Sequence, residues 1–466
     1  MKGEERAKPG RRDLALFGGP KAVDKVEAKS EPKLGVEEFM SLAERFGYSD
    51  ETLERIREAI SRPDAGGGAF MGRYGYDPER AKGVRFERLA REKFQVKHAL
   101  GVSSGTAALH SAFVAVGAGP GTEVIVPAIG FLATGASVAT SGGVPVFCDV
   151  DESLTIDPNK IEACVTPRTV AIAPTHWGGA VCDMDPILEI AKKRNLKVVE
   201  DCAQAPGAKY RGRYVGAMGD MGCFSISCYK IIGCGEAGMV VTNDDGLFAR
   251  ASQLAECGGF WRPDRFAPAR RPGELFCGTN YRLSELEAAV DLIQLRKLDD
   301  VVAGFRNAAM AVLRALRTFR EIRPLKINDP DGWVGYCLRF YPETYELGER
   351  IVAALNAEGV NCGMRGPEPG HDWHLYSEMY PIVDRVSPYG AKTSPPAGGQ
   401  AATEEEAARL HYRRGDCPVA DDLYGRSIAI GVDRFSTPGD CERIALGINK
   451  ALAYYCTEDP AAAKWF

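Results

Sequence analysis

A lysine in an apolar, glycine-rich setting is the most chemically pointed feature of the chain. Lys230 lies in residues 223–241, CFSISCYKIIGCGEAGMVV, between two runs that read as strands. A buried ammonium is costly unless it is paired or chemically used. Desolvation lowers a lysine's pKa toward neutrality and frees the amine as a nucleophile toward carbonyl compounds. The plain alternative is a loop lysine that reaches back to water.

Asp201 closes the apolar run 196–201, LKVVED, and is followed by Cys202, Ala203 and Gln204. A carboxylate at a strand's C-terminal end stands at the mouth of an α/β site, although an isolated one is more often a helix cap or a surface acid. A pyridine-based carbonyl cofactor needs both an amine and an anion facing its protonated ring nitrogen, and Lys230 with Asp201 supplies that pair. A third element is Ser103-Ser104-Gly105-Thr106, which directly precedes a helical stretch over 107–116. Small residues there let backbone N–H groups approach a phosphate, though Ser and Thr are also ordinary N-caps. Residues 233–238, GCGEAG, match GxGxxG by letter, but they run into a strand instead of opening a helix, which excludes a dinucleotide site.

These residues need a scaffold, and the pattern provides one. Short apolar β-branched runs at 123–127, 144–150, 170–176, 196–201, 223–227 and 239–243 alternate with helical spacing at 107–116 and 185–194. That alternation predicts an α/β domain with a mostly parallel central sheet flanked by helices. A long helix is expected over 283–319, opened by a capping box of Ser284 and Glu287. Strand-like 336–341, helix-like 347–355, strand-like 427–432 and a final helix over 440–455 predict a smaller C-terminal α/β domain. The first sixty or so residues are polar and broken by Pro and Gly, with one helix expected around 50–60. The expected organisation is an N-terminal arm and active-site loop over 1–85, a large domain over 86–310, and a small domain over 311–466 with an insertion near 387–416.

The chain has 466 residues, 45% hydrophobic and 26% charged, with a net charge of −5, which describes an ordinary globular protein with no electrostatic pull toward nucleic acid or an anionic membrane. No apolar run approaches the roughly 18–20 residues of a membrane span, and the charged start lacks the apolar stretch of a secretory signal, so a cytoplasmic location is expected. Fourteen cysteines and six histidines are dispersed without CxxC, HxxEH or HExxH spacing. Reduced thiols are the expectation, and no metal is assigned.

Taken in order, the motifs resemble the DegT/StrS-type family of pyridoxal-phosphate enzymes, which aminate keto-sugars and cyclitols. The matching segments are 104–112 (SGTAALHSA), 121–138 (GTEVIVPAIGFLATGASV), 183–187 (DMDPI), 199–212 (VEDCAQAPGAKYRG), 219–227 (GDMGCFSIS), 230–243 (KIIGCGEAGMVVTN) and 278–299 (GTNYRLSELEAAVDLIQLRKLD). The resemblance implies the fold type I (aspartate-aminotransferase-like) architecture, a homodimer with shared active sites, and pyridoxal 5'-phosphate held by Lys230 as a Schiff base. It implies that Asp201 pairs with the pyridine nitrogen, Gln204 contacts the ring hydroxyl and Phe131 stacks on the ring. Ser104, Gly105, Thr106 and Ser225 would hold the phosphate, with Asn280 reaching it from the neighbouring subunit. Tyr74, His176 and His374 are the candidate substrate contacts, and His371 and Trp373 lie in the same HDWHLY stretch as His374.

The implied reaction moves an amino group from glutamate or glutamine to a keto-sugar, sugar aldehyde or cyclitol ketone. Two alternatives stand beside it: a sugar dehydratase using the same cofactor, whose branch carries histidine at the lysine position, and a non-catalytic binding or regulatory protein of the same fold. Two departures bear on the substrate: Ala237 stands where the family commonly has glycine, and residues 257–276 are long and rich in Arg and Pro.

Overall fold

The structure is a computed structural model that describes residues 10–24, 33–62, 64–69, 71, 79–259, 274–384 and 412–466. Its internal contacts divide the chain into Met1–Met71 and Gly72–Phe466. Tyr74, residues 260–273 of the Arg/Pro-rich segment and residues 387–411 of the expected insertion lie outside the described residues.

In the first unit, α1 spans Val36–Glu44 and α2 spans Asp50–Ile60, the latter where a helix was expected. Ser49 caps α2 by accepting the Thr52 N–H at 3.3 Å, and Arg57 reaches Glu37 on α1 at 2.5 Å.

The second unit opens with α3, Lys82–Phe94, then β1, His98–Val102, and α4, Gly105–Ala115. It continues through β2 (Glu123–Pro127), α5 (Ala133–Thr140), β3 (Val144–Cys148), α6 (Pro158–Cys164), β4 (Thr169–Ile172), α7 (Met184–Arg194) and β5 (Lys197–Asp201). A two-stranded hairpin of β6 (Lys209–Tyr210) and β7 (Arg213–Tyr214) precedes β8 (Met221–Ser225), β9 (Gly238–Thr242) and α8 (Asp245–Ala255). The seven-stranded sheet runs β1-β9-β8-β5-β4-β2-β3. Its pairs from β8 through β3 are parallel, whereas β9 is antiparallel to both neighbours. Strands β2, β8 and β9 are buried at every position, as sheets covered on both faces require. One face packs Phe86, Ile187 and Leu295 from α3, α7 and the helix that follows; the other packs Leu109, Phe113 and Leu247 from α4 and α8.

That following helix, α9, runs over Glu285–Ala315 and stops short of the expected 319, because Leu316 turns extended. The expected capping box is corrected as well. Ser284 Oγ accepts from the Leu286 N–H at 3.3 Å, one residue earlier than the box geometry requires.

Beyond α9 come β10 (Ile322–Pro324), β11 (Cys337–Pro342), α10 (Tyr345–Ala357), β12 (Cys362–Met364), α11 (Tyr380–Val383), α12 (Pro418–Arg426), β13 (Ile428–Gly431) and α13 (Pro438–Tyr455). Their strands form an antiparallel sheet in the order β10-β11-β13-β12, with Phe340, Ile351, Ile430 and Ile448 in its core. Among the described residues no helix is long and apolar enough to cross a membrane.

The topology decides where a ligand can sit. From β2 the chain winds to β3 on one side, and from β4 it winds through β5 and β8 on the other. The crevice beyond the strands' C-terminal ends at such a reversal is the usual binding place. Phe131 follows β2, His176 follows β4, Asp201 ends β5, and Ser225 ends β8.

Candidate active site

Between β8 and β9 the chain makes a tight excursion that carries Lys230. The Lys230 N–H donates to Ser227 O at 3.0 Å and the Cys228 N–H to Gly235 O at 2.9 Å, closing the turn. A Cβ at Gly233 would lie 2.1 Å from Ser227 O, so the fold-back demands glycine there. Ala237 keeps negative φ and is fully buried, so the departure from glycine is accommodated. The neighbouring Tyr229 is exposed while Lys230 is largely buried. Burial pushes the Lys230 amine below its ordinary value, with Asp201 and Glu236 opposing. Lys230 faces a cavity of about 440 Å³ together with Ala203, Gln204, Phe305, Tyr336 and His374.

Asp201 is buried at the C-terminal end of the central strand β5 and is held from two sides. Thr134 Oγ1, on α5, donates to Oδ2 at 2.6 Å, and the Ala203 N–H donates to Oδ1 at 3.0 Å. Both donors fix the orientation of the carboxylate, and free lone pairs remain for a protonated ring nitrogen. Sequence reasoning missed Thr134, whose partner is 67 residues away.

The N-terminus of α4 lies against the end of β8. Ser104 Oγ caps the helix by accepting the Ala107 N–H at 3.0 Å. A Cβ at Gly105 would sit 2.6 Å from Ser225 Cβ, so glycine is what lets the helix start approach Ser225. Thr106, in the first turn, is exposed. Free N–H groups, the positive end of the helix dipole and two hydroxyls make a fitting anion cradle.

Beneath the site, Glu200 is fully buried and accepts the N–H groups of Gly216 at 2.8 Å, Met218 at 2.8 Å and Gly219 at 2.6 Å. His176 Nε2 lies 3.2 Å from Glu200 Oε2, and the Cys182 N–H points at Nδ1 from 3.1 Å. Burial disfavours an imidazolium here while Cys182, Cys202 and Glu200 favour one. The N–H aimed at Nδ1 leaves that nitrogen as acceptor and places the ring's proton on Nε2, toward Glu200. His176 is therefore a satisfied core histidine with no exposed surface, and its expected role as a substrate contact is corrected. Its backbone N–H donates to Asp201 O at 3.0 Å, so it buttresses the strand end. His176, Glu200 and Cys202 form a group of metal-ligand type, but the bonds above already occupy the histidine and the carboxylate, and burial pushes the Cys202 thiol up to about 12.

Two chain segments far apart in sequence complete the cavity. The Gly130 N–H donates to His374 O at 3.0 Å and the Leu132 N–H to Trp373 O at 2.7 Å, so residues 130–132 pair with 373–374. This brings the His374 ring to 5.5 Å from the Phe131 ring. Phe131 is 39% exposed, a large apolar ring left partly uncovered. Gln204 Oε1 accepts the Gly178 N–H at 2.9 Å, which turns its NH2 group outward as a donor. His371 packs against Tyr380, at 5.3 Å between rings. Asn280 lies on the surface, with Oδ1 accepting the Arg282 N–H at 3.2 Å, and it does not line the Lys230 cavity. All fourteen cysteines are free thiols.

The arrangement fits pyridoxal phosphate on its own chemistry: a desolvated amine, a buried carboxylate with lone pairs to spare, an aromatic face, and a helix N-terminus flanked by Gly105 and Ser225. Comparison with known proteins points the same way. The profile of the DegT/DnrJ/EryC1/StrS aminotransferase family matches residues 80–389. GDP-perosamine synthase of Caulobacter vibrioides is 45% identical over 222 residues, 47% of this chain and 58% of that protein. An L-glutamine:3-amino-2,3-dideoxy-scyllo-inosose aminotransferase of Streptoalloteichus tenebrarius is 32% identical over 430 residues, 88% of this chain and 95% of that one. Among solved structures, an aminotransferase from Psychrobacter cryohalolentis superimposes with a TM-score of 0.64 at 29% identity, covering 80% of this chain and 92% of that one. DesV of S. venezuelae, solved with a ketimine intermediate, gives a TM-score of 0.64 at 27% identity over 90% and 97% of the two chains. The chain belongs to the DegT/DnrJ/EryC1/StrS aminotransferase family.

Proposed function

We propose that this protein transfers an amino group from glutamate or glutamine to the carbonyl carbon of a keto-sugar, sugar aldehyde or cyclitol ketone. The observation that carries the reading is the pair of Lys230, its amine lowered by burial, and Asp201, whose charge acts on that amine and whose carboxylate is fixed by Thr134 and Ala203. The names of the two relatives, GDP-perosamine synthase and L-glutamine:3-amino-2,3-dideoxy-scyllo-inosose aminotransferase, support the acceptor class. The Caulobacter match spans 58% of that relative's length, so its substrate is not carried over.

Bound in this crevice, pyridoxal phosphate supplies the electron sink that lets nitrogen pass between two carbons. The chain's residues do the rest. Lys230 holds the cofactor covalently and moves the proton at carbon. Asp201 keeps the ring nitrogen protonated. Phe131 covers one ring face, and the Gln204 NH2 donates to the ring oxygen. Ser104, Gly105, Thr106 and Ser225 hold the phosphate. Asn280 reaches it from the neighbouring subunit of a homodimer; its exposed position, remote from its own subunit's cavity, suits that role, as does the apolar stripe of Leu286, Val290 and Ile293 on α9. Retention of Lys230 speaks against the dehydratase alternative.

The test is a half-reaction. Glutamate or glutamine added to the yellow holoenzyme should bleach its visible absorption and release one keto acid per site. If neither donor does so, the reading fails.

A further inference from the structure

His374 lines the same cavity as Lys230, and its surroundings are those of a group built to move protons. Its Nδ1 lies 3.0 Å from Asp372 Oδ1, which also accepts the His374 backbone N–H at 2.9 Å. The Tyr424 hydroxyl on α12 donates to Asp372 Oδ2 at 2.8 Å, and Arg365 Nε approaches the same oxygen at 3.7 Å. Arg365 is itself paired with Glu378. Burial pushes the Asp372 carboxyl up, but the hydrogen bonds from His374 and Tyr424 outweigh it and hold the group at about 2. A carboxylate fixed at Nδ1 keeps the proton of the neutral ring there and leaves Nε2 bare as a base. A histidine held in this way can take a proton at Nε2 and pass it on. Among the described residues Nε2 makes no hydrogen bond, and the ring is positioned instead by the backbone pairing with Gly130 and Leu132.

Amino transfer requires proton movement at two different atoms. One proton leaves or joins carbon, the role given to Lys230. The other set moves at oxygen. In the donor half, water adds across a carbon–nitrogen double bond, the carbon–nitrogen bond breaks, and both water protons end on the released amine as the keto acid's C=O forms. In the acceptor half the same bonds change in reverse, and the carbonyl oxygen leaves as water. We propose that His374, buttressed by Asp372, is a second catalytic group of this site and carries the proton between that oxygen and nitrogen. The inference rests on the aminotransferase reading.

Single-turnover kinetics of the holoenzyme separate the two protons. Using whichever donor bleaches the wild type, His374→Ala should lose its visible absorption within about threefold of the wild-type rate. Its release of keto acid should slow by about 10²–10⁴-fold, and added imidazole should restore at least about tenfold of that loss. Asp372→Asn should slow release and leave bleaching intact. Release at the wild-type rate in His374→Ala overturns the proposal, as does equal slowing of both steps without imidazole rescue, which marks a structural or binding role. A readout free of the cofactor is the ring of isotope-labelled His374 in the apoprotein. Nuclear magnetic resonance should show the neutral ring protonated at Nδ1 in the wild type and mixed in Asp372→Asn; a bare Nδ1 in the wild type contradicts the buttress. Failure of the wild type to bleach with either donor removes the aminotransferase reading itself, a distinct result.

Discussion

Asp291 gives a stability prediction whose size follows from its position. It lies on α9 beneath the Lys230 turn, fully buried, and neither carboxylate oxygen has a hydrogen-bond partner among the described residues. Burial pushes its carboxyl from 3.8 up to about 7, with the Cys234 thiol opposing and Glu287, one turn earlier, adding. For an acid whose folded pKa is raised, the folded chain holds its proton more tightly than the unfolded one. Stability is therefore unaffected below the unfolded value, falls as pH rises from 3.8 toward 7, and levels off above that. A gap of about three units at 1.36 kcal/mol each makes the full loss about 4 kcal/mol, of which about 2 kcal/mol falls between pH 5 and pH 7. Asp291→Asn keeps the shape and removes the ionisation. The amide brings its own unpaired donors, which cost about 1–3 kcal/mol at every pH, so the informative quantity is the slope. Calorimetric melting of apo wild type and Asp291→Asn at half-unit steps should show the variant gaining on wild type steadily from pH 5 to 7 and holding a constant difference beyond pH 8. Parallel curves across that range would refute the reasoning.

Three further outcomes follow from the site. Thr134→Val should cost about 1.5–3 kcal/mol by removing a charge-assisted bond to buried Asp201, and it should weaken cofactor retention on dialysis; Thr134→Ser should restore both. If the valine variant retains cofactor as wild type does, Thr134 does not position Asp201. Gly105→Ala should release cofactor while leaving the apoprotein's secondary structure intact by circular dichroism, because its Cβ would meet Ser225 Cβ at 2.6 Å in the phosphate cradle. Undiminished phosphate-dependent binding would place the cradle elsewhere. Glu200→Gln should lower the melting temperature by several degrees, since one of three N–H groups then faces an amide N–H2 instead of an acceptor; an unchanged melt would mean that the 216–219 turn does not need the carboxylate.

The parts of the site that were legible in sequence are those whose chemistry depends on residue type within a short stretch. Lys230 in an apolar glycine-rich turn, Asp201 at a strand end and the 103–106 turn ahead of α4 each announce themselves locally. What distant segments build together was not legible. His374 reaches the cavity because residues 373–374 pair with 130–132, and Asp372 acquires its character from Tyr424 and Arg365 on other elements. His176 shows the converse. Its place after β4 suggested substrate contact, but the Cys182 N–H and Glu200 consume both ring nitrogens within the core. The sheet was largely readable from its apolar runs. β1 was not, because His98 and Gly101 interrupt its apolar pattern and its strand character comes from antiparallel pairing with β9. Asp291 was equally hidden, since helical spacing alone does not show that its face of α9 is covered by the Lys230 turn.

The central claim is that Lys230 holds pyridoxal phosphate and that the bound cofactor accepts nitrogen from an amino acid. Borohydride reduction of the holoenzyme followed by peptide mapping tests it most directly. The account predicts a single phosphopyridoxyl label on the peptide containing Lys230, absent from Lys230→Ala and from enzyme first bleached with glutamate or glutamine. A label on another lysine, or a Lys230 label that survives treatment with both donors, would contradict it.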